Sequence, residues 1–140
     1  MNNRDVIINY SKTLWDQRDT SVIDRLFTPH TQIHSPMNTV EGRSTMQDIV
    51  SRWLSAFPDL DITWDETVAE GNAVVSRWTA KGTHLGSFFD TRPTHREVTF
   101  SGVIFYHLED GKITDYWSLI DMHAILSQLE EYHSITEVIE

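Results

Sequence analysis

The chain contains no cysteine, so neither a disulfide nor a thiolate metal site can hold it together. The fold must stand on packing alone, and the composition fits a reducing cytoplasm. Basic residues are scarce: 11 Lys and Arg face 21 Asp and Glu, for a formal charge of −10. No basic face is visible that would serve nucleic acid or an anionic membrane surface. No stretch approaches the ~20 apolar residues of a membrane span. The start, Met1-Asn2-Asn3-Arg4-Asp5, lacks the basic and apolar runs of a secretion signal. Repeats, low-complexity tracts and Pro/Gly/Ser linkers are also missing, so residues 1–140 read as one domain.

Aromatic residues, in contrast, are plentiful: five Trp, four Tyr and six Phe in 140 residues. They fill cores, and they also line pockets for organic ligands. A chain of this length buries about two-thirds of its unfolded surface, enough for one core.

The first half has helical periodicity. Val6, Ile7, Tyr10 and Leu14 predict a helix over residues 3–18. A short helix follows over Ser21–Phe27, and Pro29 ends that unit. Residues 31–35 read as a short strand. Met46, Ile49, Val50, Trp53, Leu54 and Phe57 form one buried helix face, stopped by Pro58. That stripe reads first as core. Tyr10, Trp53 and Phe57 are also candidates to line a ligand pocket.

The second half alternates with a period of two. Leu60, Ile62, Trp64, Glu66 and Val68 share one strand face. Further strands are predicted over Ala73–Gly82, Val98–His107 and Ile113–Asp121, with a hairpin turn at Glu109-Asp110-Gly111-Lys112. Residues 83–97 form a long loop, and a helix over Met122–Leu129 closes the chain. Helices followed by antiparallel strands predict an α+β fold, with helices packed on a bent sheet to make a cone.

On the last strand, Ile113, Asp115, Trp117, Leu119 and Asp121 share one face, which these apolar residues mark as the interior. Trp117 and Leu119 then line the pocket, and Asp121 sits at its end as a general acid or base tuned by apolar surroundings. The competing reading makes Asp121 the cap of the final helix. Pattern alone prefers the cap, and one residue can do both. His34 and His84 could share a proton with a carboxylate. No metal-ligand spacing or glycine-rich phosphate loop is present, so neither a metal nor a nucleotide cofactor is expected, and no nucleophile elbow occurs. Arg77 beside Trp78 reads as a salt-bridge partner for one of the many acids. The acidic end, with Glu130, Glu131, Glu137 and Glu140, reads as a solvated tail.

A series of fragments keeps a common order from about residue 24 to 129. It begins with Asp24-Arg25-Leu26-Phe27, His34-Ser35-Pro36, Glu41-Gly42-Arg43 and Ala56-Phe57-Pro58-Asp59-Leu60. Arg77-Trp78-Thr79, Gly82-Thr83-His84-Leu85-Gly86, Pro93-Thr94 and Phe100-Ser101-Gly102 follow. Glu109-Asp110-Gly111-Lys112-Ile113, Trp117-x-x-x-Asp121 and Leu126-Ser127-Gln128-Leu129 complete it. In this order the chain resembles the SnoaL-like polyketide cyclase or ester cyclase family of the nuclear-transport-factor-two-like (cystatin-like) superfamily. The resemblance implies a homodimer with a conical apolar cavity, no cofactor, and a small hydrophobic or carbonyl-containing ligand. It implies an intramolecular aldol or related enolate step, with Asp121 as the acid/base and His34 and His84 near the cavity mouth. The sequence departs from the family at His95, at Glu130, and at Tyr116, where relatives often carry His. A non-catalytic binding or dimerisation module is the alternative. Epoxide hydrolysis or dehydration, drawing on Arg77 and Asp115, is a minor one.

Overall fold

The computed structural model describes residues 2–36 and 38–139, with side chains as far as Glu130. The side chains of Glu131, Glu137 and Glu140 therefore lie outside the described residues.

Helix α1 (Asn3–Ser11) is capped by the Asn2 side chain, which accepts the Asp5 N–H at 2.8 Å. It continues into one π-helical segment, Lys12–Asp16, closed by Gln17 N–H donating to Lys12 O at 3.0 Å. The wider winding turns the neighbours Leu14 and Trp15 both into the core. Helix α2 (Ser21–Leu26) leads directly into β1 (Phe27–His34). Pro29 thus lies inside a strand, where the pairing of β1 is interrupted between Phe27 and Gln32 and no ladder N–H is required of it. The three-residue β2 (Thr39–Glu41), absent from the sequence reading, precedes α3 (Arg43–Ala56). Then come β3 (Asp61–Glu70), β4 (Ala73–Thr83), β5 (Glu97–Glu109), β6 (Lys112–Ile120) and α4 (Met122–Ile139). The β5–β6 turn places Asp110 and Gly111 at φ 50° and 75°, the left-handed pair that a tight hairpin requires.

The fold is α+β, with N-terminal helices against a curved sheet ordered β2-β1-β6-β5-β4-β3. Its four long strands run antiparallel, as expected. The sheet is nevertheless mixed, because β1 lies parallel to β6, with His34 opposite Trp117. On the helix side an aromatic core forms: the Trp53 ring lies 6.2, 5.2 and 5.8 Å from Phe57, Phe88 and Phe100, and Phe57 lies 5.4 and 6.0 Å from Phe88 and Phe100. Tyr10, Tyr106 and Tyr116 form a second layer, with centroids 6.2 and 5.5 Å apart.

Two β-bulges reverse strand faces that simple alternation assigns the other way. In β6, Ile113 pairs with Leu108 but Asp115 pairs with His107, so Thr114 is an extra residue. Ile113 points inward, and beyond Thr114 the inward residues become Tyr116, Ser118 and Ile120. Trp117 and Leu119, expected inside, are 44% and 54% exposed on the opposite face. In β3, Asp65 is the extra residue between the Trp64–Trp78 and Glu66–Arg77 pairs. Val68 is consequently 53% exposed.

Candidate functional site

The sequence-predicted site residues fall into three places. Asp121 stands where β6 meets α4. It is exposed, contrary to the interior position expected of it, and Oδ1 accepts the Ala124 N–H at 3.0 Å. Its own N–H donates to Ser101 O at 3.0 Å, pinning the strand-to-helix corner to β5. Asp121 is therefore a helix cap, and only its Oδ1 is engaged among the described residues.

His34 lies on the outer sheet face, away from the helices. Its ring stacks on Trp117, centroids 3.8 Å apart and planes 14° from parallel. Nε2 lies 3.0 Å from Asp115 Oδ1 and Nδ1 lies 3.0 Å from Thr39 Oγ1. A carboxylate accepts only, so Nε2 carries the shared proton and Nδ1 accepts from the Thr39 hydroxyl when the ring is neutral. The carboxylate partner of His34 is thus Asp115, not Asp121. Nothing in the sequence periodicity marks this pair, because the Thr114 bulge and the parallel β1–β6 pairing create it.

His84 lies on the helix side and has no exposed surface. Its Nδ1 accepts the Thr94 N–H at 3.1 Å and also lies 3.0 Å from Thr94 Oγ1. Nε2 then bears the hydrogen, yet it makes no well-formed bond. Phe57 and Phe88 flank the ring, at 5.7 and 6.5 Å. Burial pushes the imidazole below its ordinary pKa, with a smaller lowering from His95 opposed by the Gly86 backbone. The histidine is therefore neutral near pH 7.

The expected pocket linings divide in the same way. Tyr10 and Phe57 are fully packed core residues, and Trp53 is half-buried beside Phe57. Trp117 and Leu119 face outward. Two shallow surface depressions avoid all of these. One, of about 230 Å3, lies between α1 and β3 and includes Lys12 and Trp64. The other, of about 320 Å3, lies on the outer face over Val68, Val75 and Phe105.

Besides His84, the helix side contains three buried phenols: Tyr10, Tyr106 and Tyr116. Burial raises all three pKa values, that of Tyr116 to about 12. Among the described residues the Tyr10 hydroxyl has no partner, nor do the indole N–H groups of Trp64 and Trp78. This interior is polar but uncharged at neutral pH. The sequence reading missed the tyrosine cluster; Tyr106 alternates inward with Ile104 and Leu108, but the Thr114 bulge hid the inward parity of Tyr116.

Arg77 lies on the outer face, 3.6 Å from Asp65 and 3.9 Å from Glu66, as the salt-bridge reading anticipated. Asp115 is paired with His34, so Arg77 and Asp115 do not form a joint arrangement. Among the described residues no cluster of His, Asp or Glu is placed to hold a metal ion, and no described helix is long and apolar enough to cross a membrane.

The fold recurs in solved structures. AclR from Streptomyces galilaeus, a candidate hydroxylase, is 29% identical, with a TM-score of 0.80 over 91% of this chain and 81% of its own. A SnoaL-like polyketide cyclase from Agrobacterium tumefaciens is 24% identical (TM-score 0.75), covering 92% of this chain and 99% of its own. An NTF2-like protein from Burkholderia pseudomallei is 15% identical (TM-score 0.75), covering 92% and 98%. No curated protein matches the chain. The model of the SnoaL-like polyketide cyclases matches residues 6–129, and the chain belongs to that family.

Proposed function

We propose that this protein is a SnoaL-like enzyme that performs general acid/base chemistry on an uncharged carbonyl compound, through an enolate as in cyclisation or isomerisation. The observation that carries the reading is the neutral interior. Its phenols are uncharged at neutral pH, and burial keeps its histidine uncharged as well. A charged ligand would lose its hydration there without gaining a counter-charge. An uncharged ketone loses little, and its oxygen can accept from a hydroxyl, an indole N–H or His84 Nε2. Asp121 is the proton-transferring group in this reading. It serves from the rim, capping α4 through Oδ1 while Oδ2 takes the proton from the carbon beside the carbonyl. His34, stacked and paired on the other sheet face, serves no step of this reaction.

The test needs no natural substrate. The protein is incubated in D2O with 1-tetralone, an uncharged aromatic ketone, and exchange of the hydrogens beside the carbonyl is followed by NMR. Catalysed exchange that disappears in Asp121→Asn supports the reading. Exchange that survives the substitution unchanged removes Asp121 from the mechanism.

We also infer that the domain self-associates through its outer sheet face. One register row, Thr39-His34-Trp117-Phe105-Val75-Val68, crosses all six strands. Trp117, Phe105 and Val68 are exposed along it, with Leu119 one row away. A contiguous apolar band of this kind is costly in water and marks an interaction surface. A second copy is the occupant that brings the same apolar face to it. A non-catalytic binding or dimer-forming role would share this surface, and lack of any exchange activity would favour it.

A further inference from the structure

The loop between β4 and β5 is fixed at both ends. At its start, Leu85 and Gly86 both donate N–H groups to Ala56 O at the end of α3, at 3.0 and 3.1 Å. A Cβ at Gly86 would fall 2.1 Å from Ser55 O, so only glycine permits this approach. At its end, Thr94 N–H binds His84 Nδ1, His95 N–H donates to His84 O, and His84 N–H donates to Arg96 O.

Between these anchors, residues 87–93 bury one side chain, that of Phe88. Phe88 and Thr91 exchange two backbone hydrogen bonds, of 3.0 and 2.8 Å. They close a two-residue turn whose central residues, Phe89 and Asp90, have φ of 43° and 63°. A tight turn of this hand favours Asn-Gly or Asp-Gly, and a phenylalanine there is strained. Phe89 itself is 61% exposed, so its own packing does little to compensate. Within residues 87–93, Phe88 is the buried side chain that ties the strained turn to the core.

Phe88 enters the aromatic cluster. Its ring lies 5.2 Å from Trp53, 5.4 Å from Phe57 and 6.5 Å from His84. Beside it is the His84 Nε2–H, which makes no well-formed bond among the described residues although the Gly86 backbone lies near it. Buried donors normally have well-formed bonds, and one satisfied this poorly leaves room for a better acceptor. The rings around Phe88 thus form a lined space with one polar group, the make-up of a small-molecule site. Its present occupant is carried on a strained, otherwise exposed turn.

The geometry points to Phe88 as a displaceable plug of a ligand site lined by Trp53, Phe57, His84 and Phe100, which takes a planar, uncharged aromatic ring bearing a hydrogen-bond-accepting oxygen. The ligand ring replaces the Phe88 ring, its oxygen accepts from His84 Nε2–H, and the turn relaxes outward while both anchors stay in place. A site of this kind is a minor conformation until a ligand occupies it. The inference rests on the proposed function and names the compound class and the place where it binds.

Calorimetric titration with 1-tetralone tests it in the wild type, Phe88→Leu and Phe88→Ala, with tetralin as the analogue lacking the oxygen. Removing the plug removes the cost of displacing it, so the ketone should bind at least tenfold more tightly to a folded Phe88 variant. Phe88→Leu carries the comparison if Phe88→Ala does not fold. Tetralin should bind more weakly than the ketone, and NOEs should connect the bound ketone to Trp53 and Phe57. Equal affinity in wild type and variant, NOEs to another part of the protein, or no binding to any of the three would overturn the plug. These results are independent of the Asp121→Asn exchange assay, which tests the proposed chemistry separately.

Discussion

His34 stacks on Trp117 across the parallel β1–β6 pair, 3.8 Å between centroids, and the two rings lie in the middle of the exposed apolar row. The stack covers one face of the Trp117 ring and fixes its orientation, while the residue stays 44% exposed. If that exposed surface is the self-association face, Trp117→Glu or Leu119→Glu should convert the protein to a monomer. Analytical ultracentrifugation reads the change, and unchanged far-UV circular dichroism shows that the fold persists. A monomeric wild type at tens of micromolar would refute the self-association reading.

Asp121 has two separable roles to test. Asparagine caps a helix about as well as aspartate, so Asp121→Asn should leave stability within a few tenths of a kcal/mol while removing the proton acceptor. Asp121→Ala removes the cap as well and should cost about 1 kcal/mol in urea unfolding. An Asp121→Asn variant as unstable as Asp121→Ala would show that the charge, not the hydrogen bond to Ala124, matters at this corner.

Acid should destabilise the protein through His84. Its pKa is lowered in the fold, so the unfolded chain takes up a proton first as the pH falls below 6.5, the ordinary histidine value, and acid favours unfolding. Stability should therefore rise with pH from the lowered folded value up to about 6.5 and be flat in this contribution above it. His84→Asn can still accept the Thr94 N–H but cannot titrate, and its unfolding midpoint should vary less over the same range. The tyrosines act at the other extreme. Their pKa values are raised, so stability should fall as pH rises through about 10, where the unfolded phenols ionise first.

The Tyr10 hydroxyl is buried without a partner among the described residues. Tyr10→Phe removes a group whose desolvation is uncompensated while keeping the ring packed against Phe27 and Tyr106. It should stabilise the protein by about 1 kcal/mol. Destabilisation of that size would mean that the hydroxyl makes a bond, for instance to an internal water.

Much of the architecture was legible in the sequence. The stripe from Met46 to Phe57 marks α3, and alternation with Gly-containing turns marks β3 to β6, since periodicity directly reflects burial of one face. Single inserted residues were not legible. Thr114 and Asp65 each shift a strand by one position, and a one-residue shift exchanges inside and outside. Trp117 and Leu119 thus moved from expected pocket lining to outer surface, while Tyr116 moved inward. The cap at Asp121 was anticipated by its place before Met122, but its exposure was not. The His34–Asp115 pair was not, because it joins β1 to β6 across a parallel pairing that no hairpin announces. The burial of His84 likewise depends on the loop that folds back over it.

The central claim, that a neutral interior handles an uncharged carbonyl compound with Asp121 as the base, is tested most directly by hydrogen–deuterium exchange. Exchange beside the carbonyl is compared for 1-tetralone and for a tetralone carrying a carboxylate, in wild type and Asp121→Asn. The account predicts at least tenfold acceleration for the uncharged ketone in the wild type, little for the charged one, and loss of the acceleration in Asp121→Asn. Equal acceleration of both ketones, or full activity in Asp121→Asn, would contradict it.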